Sequence, residues 1–204
     1  MKTRIAMLVV ALGSLVATQV QAQEAAVSAA APATKLRVGA QLELLPAGTL
    51  KASGAGLSQS ADTDTAYGIA ASFDYDLTPN FSIGVAPRMI FNVKGDDATG
   101  DAAKELDLRA RAMLHIPFAA KLTGYGYAAP GYSVIFVPDG TPFDNPTGFV
   151  LGLGAGAAYD VAPNLFVSAE LGYQLGFQGT KVNDQDLDVK TNFLSISFGA
   201  GARF

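Results

Sequence analysis

From Lys35 onward, apolar residues alternate with polar or small ones at a period of two, which marks strands whose two faces meet different surroundings. In "KLRVGAQLEL", Leu36, Val38, Ala40, Leu42 and Leu44 oppose Arg37, Gly39, Gln41 and Glu43. The pattern continues with Tyr67, Ile69, Ala71, Phe73 and Tyr75 against Gly68, Ala70, Ser72 and Asp74. Phe81, Ile83, Val85, Pro87, Met89 and Phe91 then oppose Ser82, Gly84, Ala86, Arg88 and Asn92. Leu106, Leu108, Ala110, Ala112 and Leu114 oppose Asp107, Arg109, Arg111, Met113 and His115. The stretch from Leu122 to Val137 sets Tyr on both faces, so its phase stays open. Beyond it, Phe149 to Tyr159 faces away from Gly152, Gly154 and Gly156, and Val167 to Phe177 faces away from Ser168, Glu170, Gly172, Gln174 and Gly176. Finally Leu194, Ile196, Phe198, Ala200, Ala202 and Phe204 oppose Ser195, Ser197, Gly199, Gly201 and Arg203, giving eight predicted strands.

The connections alternate as well. "YDLTPNF" (Tyr75 to Phe81) returns as "YDVAPNL" (Tyr159 to Leu165), and Pro and Asn are turn formers. Short turns at 78–80, 117–120 and 162–164 separate longer polar segments at 46–64, 94–104, 139–147 and about 179–188. Long and short links in strict alternation predict an all-β, eight-stranded antiparallel up-and-down barrel over residues 35–204, with loops at one rim and turns at the other. The large apolar residues share one face and the Gly, Ala, Ser and charged residues the other. A narrow barrel packs small and polar groups inside and meets lipid with the apolar face, whereas a soluble barrel reverses this.

Aromatic spacing agrees with a transmembrane β-barrel. Tyr67, Phe91, Phe149 and Phe177 fall at the long-loop ends of the apolar face, and Tyr75, Phe81, Tyr159 and Phe204 at the turn ends. Phe81 and Phe91 are ten residues apart, as are Phe149 and Tyr159; at about 3.3 Å per residue and a tilt near 40°, this spans roughly 25 Å, the height of an outer-membrane apolar band.

The N-terminus fits export. Lys2 and Arg4 precede an apolar run from Ile5 to Val20 and small residues before Gln23, the pattern of a signal peptide over residues 1–22. An Ala-rich segment, 23–34, reads as a flexible periplasmic tail. There is no cysteine, which excludes a disulfide framework and thiolate metal sites. Loss of the leader takes the charge balance from 14 basic against 18 acidic residues to 12 against 18, and no basic patch invites nucleic acid.

This architecture, together with the terminal "SISFGAGARF" ending in Phe204, resembles the small bacterial outer-membrane β-barrels, the class of the OmpA transmembrane domain, OmpX and OmpW. The resemblance implies periplasmic termini and turns, long loops outside the cell, and recognition of Phe204 by the barrel assembly machinery. Its implied surroundings are outer-membrane lipid and lipopolysaccharide. Pro87 and Pro130 depart from the pattern, because a closed barrel has no edge for a residue without N–H. A bulge or register change is expected at each.

Candidate chemistry is sparse. "VLGLGAGAAYD" imitates a dinucleotide fingerprint, but its glycines run at period two with no helix after them. His115 is the single histidine, too few for a zinc site, and Ile116 and Pro117 follow it where lipid A deacylases have His-x-Ser. No cofactor and no enzymatic activity are expected. Arg37, Glu43, Asp74, Arg88, Asp107, Arg109, Arg111, Glu170 and Arg203 are predicted to share the lumen, as a packed salt-bridged interior or, alternatively, with a polar path between the pairs. Asp96, Asp97 and Asp101, and Asp184, Asp186 and Asp188, read as solvated loop charge. Three functions remain: a structural or surface-interaction barrel with binding in its loops, a minor porin-like channel for small or hydrophobic solutes, and, weakest, a lipid-modifying enzyme.

Overall fold

The computed structural model describes residues 35–204, apart from 55, 97, 99, 142, 143, 183 and 184. The expected leader and tail, Asp97 and Asp184 lie outside these described residues.

Nine strands follow one another: β1 Leu36–Gly54, β2 Leu57–Asp62, β3 Ala66–Thr78, β4 Phe81–Val93, β5 Ala103–Ala119, β6 Leu122–Phe136, β7 Thr147–Ala162, β8 Leu165–Val182 and β9 Gln185–Arg203. β3 to β9 each pair antiparallel with the next, β1 pairs with β3, and β1 also pairs with β9, so the sheet closes into a ring. Closure removes the exposed edges that an open sheet of this size would present, except along β2, which pairs with β1 alone.

The eight predicted strands are β1 and β3 to β9. β2 is an addition: within the segment expected as a loop, β1 continues to Gly54 and turns back as a hairpin arm. The β8–β9 connection is likewise mostly strand, paired as far as Val182 and Gln185. These outer ladders escape a search for hydrophobic alternation because they bury only scattered apolar side chains, such as Leu50 and Leu187.

Inside and outside follow the alternation. Leu42, Ile69, Leu108, Leu114, Leu171 and Phe198 are each more than half exposed, while Ser82, Asp107, Ser133 and Thr191 are fully buried. β6 resolves its ambiguous phase by turning Tyr125 and Tyr127 inward and Tyr132 outward.

Neither proline shifts the register. Pairing between β3 and β4 stops at Ala70–Arg88 and resumes at Phe73–Val85 in the same register. Between β5 and β6 it stops at Arg109–Gly131 and resumes at Ala112–Ala128, again unshifted. Each residue of an antiparallel strand aims its N–H at one neighbour only, so proline weakens one seam. The other seam holds, with Pro87 opposite Leu108 and Pro130 opposite Leu151. Bulges fall elsewhere, after Leu44 and after Ile90. The second carries Asn92 at φ 62°, an αL conformation that Asn tolerates. It therefore turns Val93 inward in place of Asn92, whose side chain donates instead to the Thr65 carbonyl at 2.8 Å.

Candidate functional site

The interior of the ring is the candidate site, since it gathers nearly all the buried polar chemistry. Each inward residue is placed there by strand parity. Arg109, Arg111, Met113 and His115 come from β5, with Asp107 and Glu105 above them.

Midway along the lumen, Arg88 donates to Asp107 Oδ2 from Nε at 2.9 Å and from Nη2 at 2.6 Å, and to Glu43 from Nη1 at 3.1 Å. Beside them Gln174 donates to Glu105 at 2.7 Å. Arg109 is buried yet makes no ion pair or hydrogen bond among the described residues, and its Nε has no acceptor. Its guanidinium lies against the wall glycine Gly152, with Arg88, Glu43, Asp107 and Tyr127 as its charged and polar surroundings.

Nearer the turns, Glu170 Oε1 is the hub. It accepts from Arg111 Nη2 at 2.5 Å, Gln41 Nε2 at 2.6 Å and the Tyr125 hydroxyl at 2.8 Å. The Arg111 guanidinium also lies over the Tyr127 ring at 4.6 Å and reaches Asp74 at 4.0 Å.

The repeated "YD..PN" segments supply the last layer. In each, Tyr75 or Tyr159 points outward, a bulge follows the aspartate, and a Pro-Asn turn reverses the chain. The aspartates point inward and hold one arginine each: Asp76 pairs with Arg37, and Asp160 accepts from Arg203 at 2.5 Å. Arg203 also covers the Phe166 ring at 5.1 Å.

His115 belongs to this layer without forming a hydrolytic relay. Arg37 Nη2 and the buried Ser82 hydroxyl both lie 2.8 Å from its Nε2. A guanidinium only donates, so Nε2 is an acceptor already engaged, and Asp76 binds Arg37 instead of orienting the ring. Nucleophile, base and acid are close, but their roles do not chain.

Toward the long-loop rim the lumen changes character. Leu45, Ala66, Ile90, Val93 and Phe193 form an apolar cluster, backed by Leu50 and Ala103. Together with the polar layers it leaves little free space. The cavity among Arg37, Asp74, Arg111, His115, Tyr125 and Glu170 is about 30 Å³, room for about two waters.

All nine lumen residues expected from sequence lie inside the ring, eight of them in ion pairs and Arg109 alone. Sequence reading omitted Glu105, Gln41, Asp76, Asp160 and Tyr125 as partners, and the apolar cluster altogether. A signal existed for the cluster: Leu44-Leu45, Ile90-Phe91 and Phe193-Leu194 are adjacent apolar pairs, which put an apolar residue on each face.

The eight girdle aromatics all stand on the outer face. Cross-strand partners stack at the long-loop end, Tyr67 on Phe91 at 5.7 Å and Phe149 on Phe177 at 6.5 Å. On the inner face the glycines make room. A Cβ at Gly156 would lie 2.6 Å from the Ala169 carbonyl and 2.8 Å from the Tyr125 ring. Gly156→Val is therefore expected to cost about 1–3 kcal/mol through overpacking, read as a lower urea midpoint in lipid vesicles.

The outer membrane protein beta-barrel domain family matches residues 8–204. The chain belongs to this family. Its members are outer-membrane β-barrel proteins of Gram-negative bacteria. Among solved structures, Neisserial surface protein A is 22% identical with a TM-score of 0.53, the match covering 83% of this chain and 97% of that one. OprG from Pseudomonas aeruginosa is 14% identical with a TM-score of 0.63, covering 84% and 96%. At these identities the likeness is one of fold. No curated protein matches the sequence significantly.

Proposed function

We propose that this protein is a sealed, non-enzymatic barrel of the outer membrane whose role is structural or surface-interacting, carried by its long arms and loops. In this reading residues 1–22 are cleaved on export, residues 23–34 and the short turns are periplasmic, and the barrel assembly machinery reads Phe204. The observation that carries it is the filled lumen. Ion pairs and an apolar cluster occupy the interior, so the surface left for a partner is the β1–β2 hairpin and the β8–β9 extension.

The cysteine-free chain makes the orientation easy to test. Ser60→Cys, on the β2 arm, is expected to react with a membrane-impermeant maleimide in intact cells. Asn164→Cys, in a short turn, is expected to react only after permeabilisation. The reverse pattern would refute the orientation.

The Pro87 seam favours a second reading, lateral passage of small hydrophobic solutes. Where β3 and β4 lack bonds, an apolar groove on the outer wall is lined by Leu42, Ile69, Pro87, Met89 and Phe198, with Arg88 at its floor. Pro87→Ala restores one donor to the seam. It is expected to stabilise the barrel by about 1 kcal/mol and, if solutes pass there, to slow their uptake into vesicles. Unchanged uptake would remove this reading.

A further inference from the structure

One row of outward side chains crosses five neighbouring strands at the long-loop rim: Phe149, Phe177, Lys190, Lys51 and Ser60, each in register with the next. Lys51 and Lys190 are thus directly opposite each other, and both are exposed. Like charges in that relation destabilise a sheet unless something neutralises them.

No ion pair among the described residues does so. Of the other rim lysines, Lys94 pairs with Asp64 at 3.4 Å, Lys181 stands opposite Asp186 without an ion pair among the described residues, and Lys104 stands opposite Phe136 rather than another cation. Among the described residues no ion pair involves Lys51 or Lys190. Asp62 and Asp188 occupy diagonal positions on the same face without reaching either lysine. Lys190 rests its ammonium 6.0 Å from the Phe177 ring centre, which holds it at the height of the aromatic girdle.

Directly below the lysine pair the wall is dented. The bulge after Leu44 opens a groove lined by Pro46, Ala47, Thr49, Tyr173 and Leu194, and Asp62 lines it too. Two cations at girdle height above a groove that runs from polar to apolar match an amphiphile with an anionic head and an acyl tail.

We infer that Lys51 and Lys190 clamp a phosphate of a phosphorylated glycolipid, of the lipid A type, whose acyl chain enters the groove beneath them. The choice of glycolipid rests on the proposed orientation, in which this rim faces the outer leaflet. Two ammonium groups on one phosphate relieve their mutual repulsion and gain charge-assisted hydrogen bonds.

The test is a titration of the refolded, leader-free protein in detergent micelles, read by native mass spectrometry, with bisphosphorylated lipid A, its dephosphorylated form and phosphatidylglycerol as probes. Wild type should bind bisphosphorylated lipid A more tightly than both other lipids. The double substitution K51Q/K190Q should weaken it about tenfold or more, the scale of losing one charge-assisted hydrogen bond. K94Q, which removes an already paired lysine, should leave it unchanged. Retained affinity in K51Q/K190Q, or equal binding of the dephosphorylated form, overturns the lysine clamp. Equal binding of phosphatidylglycerol overturns the glycolipid. Micelles carry no orientation, so the titration and the maleimide labelling fail separately.

Discussion

Replacing Glu170 by alanine is expected to destabilise the barrel by about 3–5 kcal/mol, the range for breaking a buried ion pair from one side. One carboxylate oxygen serves Arg111, Gln41 and Tyr125 together. Its removal leaves Arg111 with Asp74 alone, at 4.0 Å, and strands two neutral donors. Glu170→Gln retains an acceptor of the same shape, so it should cost less. The double variant Glu170→Leu with Arg111→Met removes both charges and should recover much of the loss, because the penalty comes from the orphaned cation. Urea unfolding in lipid vesicles, followed by the gel-mobility shift on heating, gives all three values. A Glu170→Ala variant within about 0.5 kcal/mol of wild type would mean that water already serves these groups.

Phe193→Ala has the second large effect, for a different reason. Phe193 is fully buried among Leu45, Ile90 and Val93 and fills the lumen below the long-loop rim. Truncating a buried Phe costs about 3–5 kcal/mol when the surroundings cannot collapse. Here they cannot, because the strands are held by ladders on both sides. The neighbouring strand is already packed against the ring: a Cβ on Gly48, the β1 partner of Phe193, would sit 2.5 Å from it. Phe193→Leu keeps most of the volume and should lose less than half as much. The same unfolding assay separates the two, and equal losses would argue against cavity formation.

Strand parity was legible wherever one face is apolar and the other small or charged. That condition holds along β3, β5, β8 and the barrel part of β9, and there inward and outward residues match the sequence alternation. It fails in β6, where tyrosine serves both faces, since Tyr125 is a buried donor to Glu170 and Tyr132 an outer-face residue. It also fails at Asn92, because a single αL residue reverses the parity of its successor, and Val93 rather than Asn92 becomes the inward residue. The expected bulges at Pro87 and Pro130 did not occur, because proline deprives only one neighbour while the other holds the register.

The identity of the buried charges was readable, but not their pairing. Partners such as Arg37 and Asp76, or Arg111 and Glu170, are 39 and 59 residues apart in sequence. Their meeting depends on strand stagger around the ring, which no local pattern encodes. The "YD..PN" repeat comes closest to an exception. A turn motif recurring with its aspartate in place marks a turn and an inward carboxylate together, and both carboxylates bind an arginine.

Whether the lumen is closed is read by single-channel recording of the refolded, leader-free protein in a planar bilayer. The interior layers predict a flat current trace from wild type across the voltage range. Reproducible openings whose size changes in Arg88→Ala or Glu170→Ala would show an open lumen, because the current would then be passing between the ion pairs.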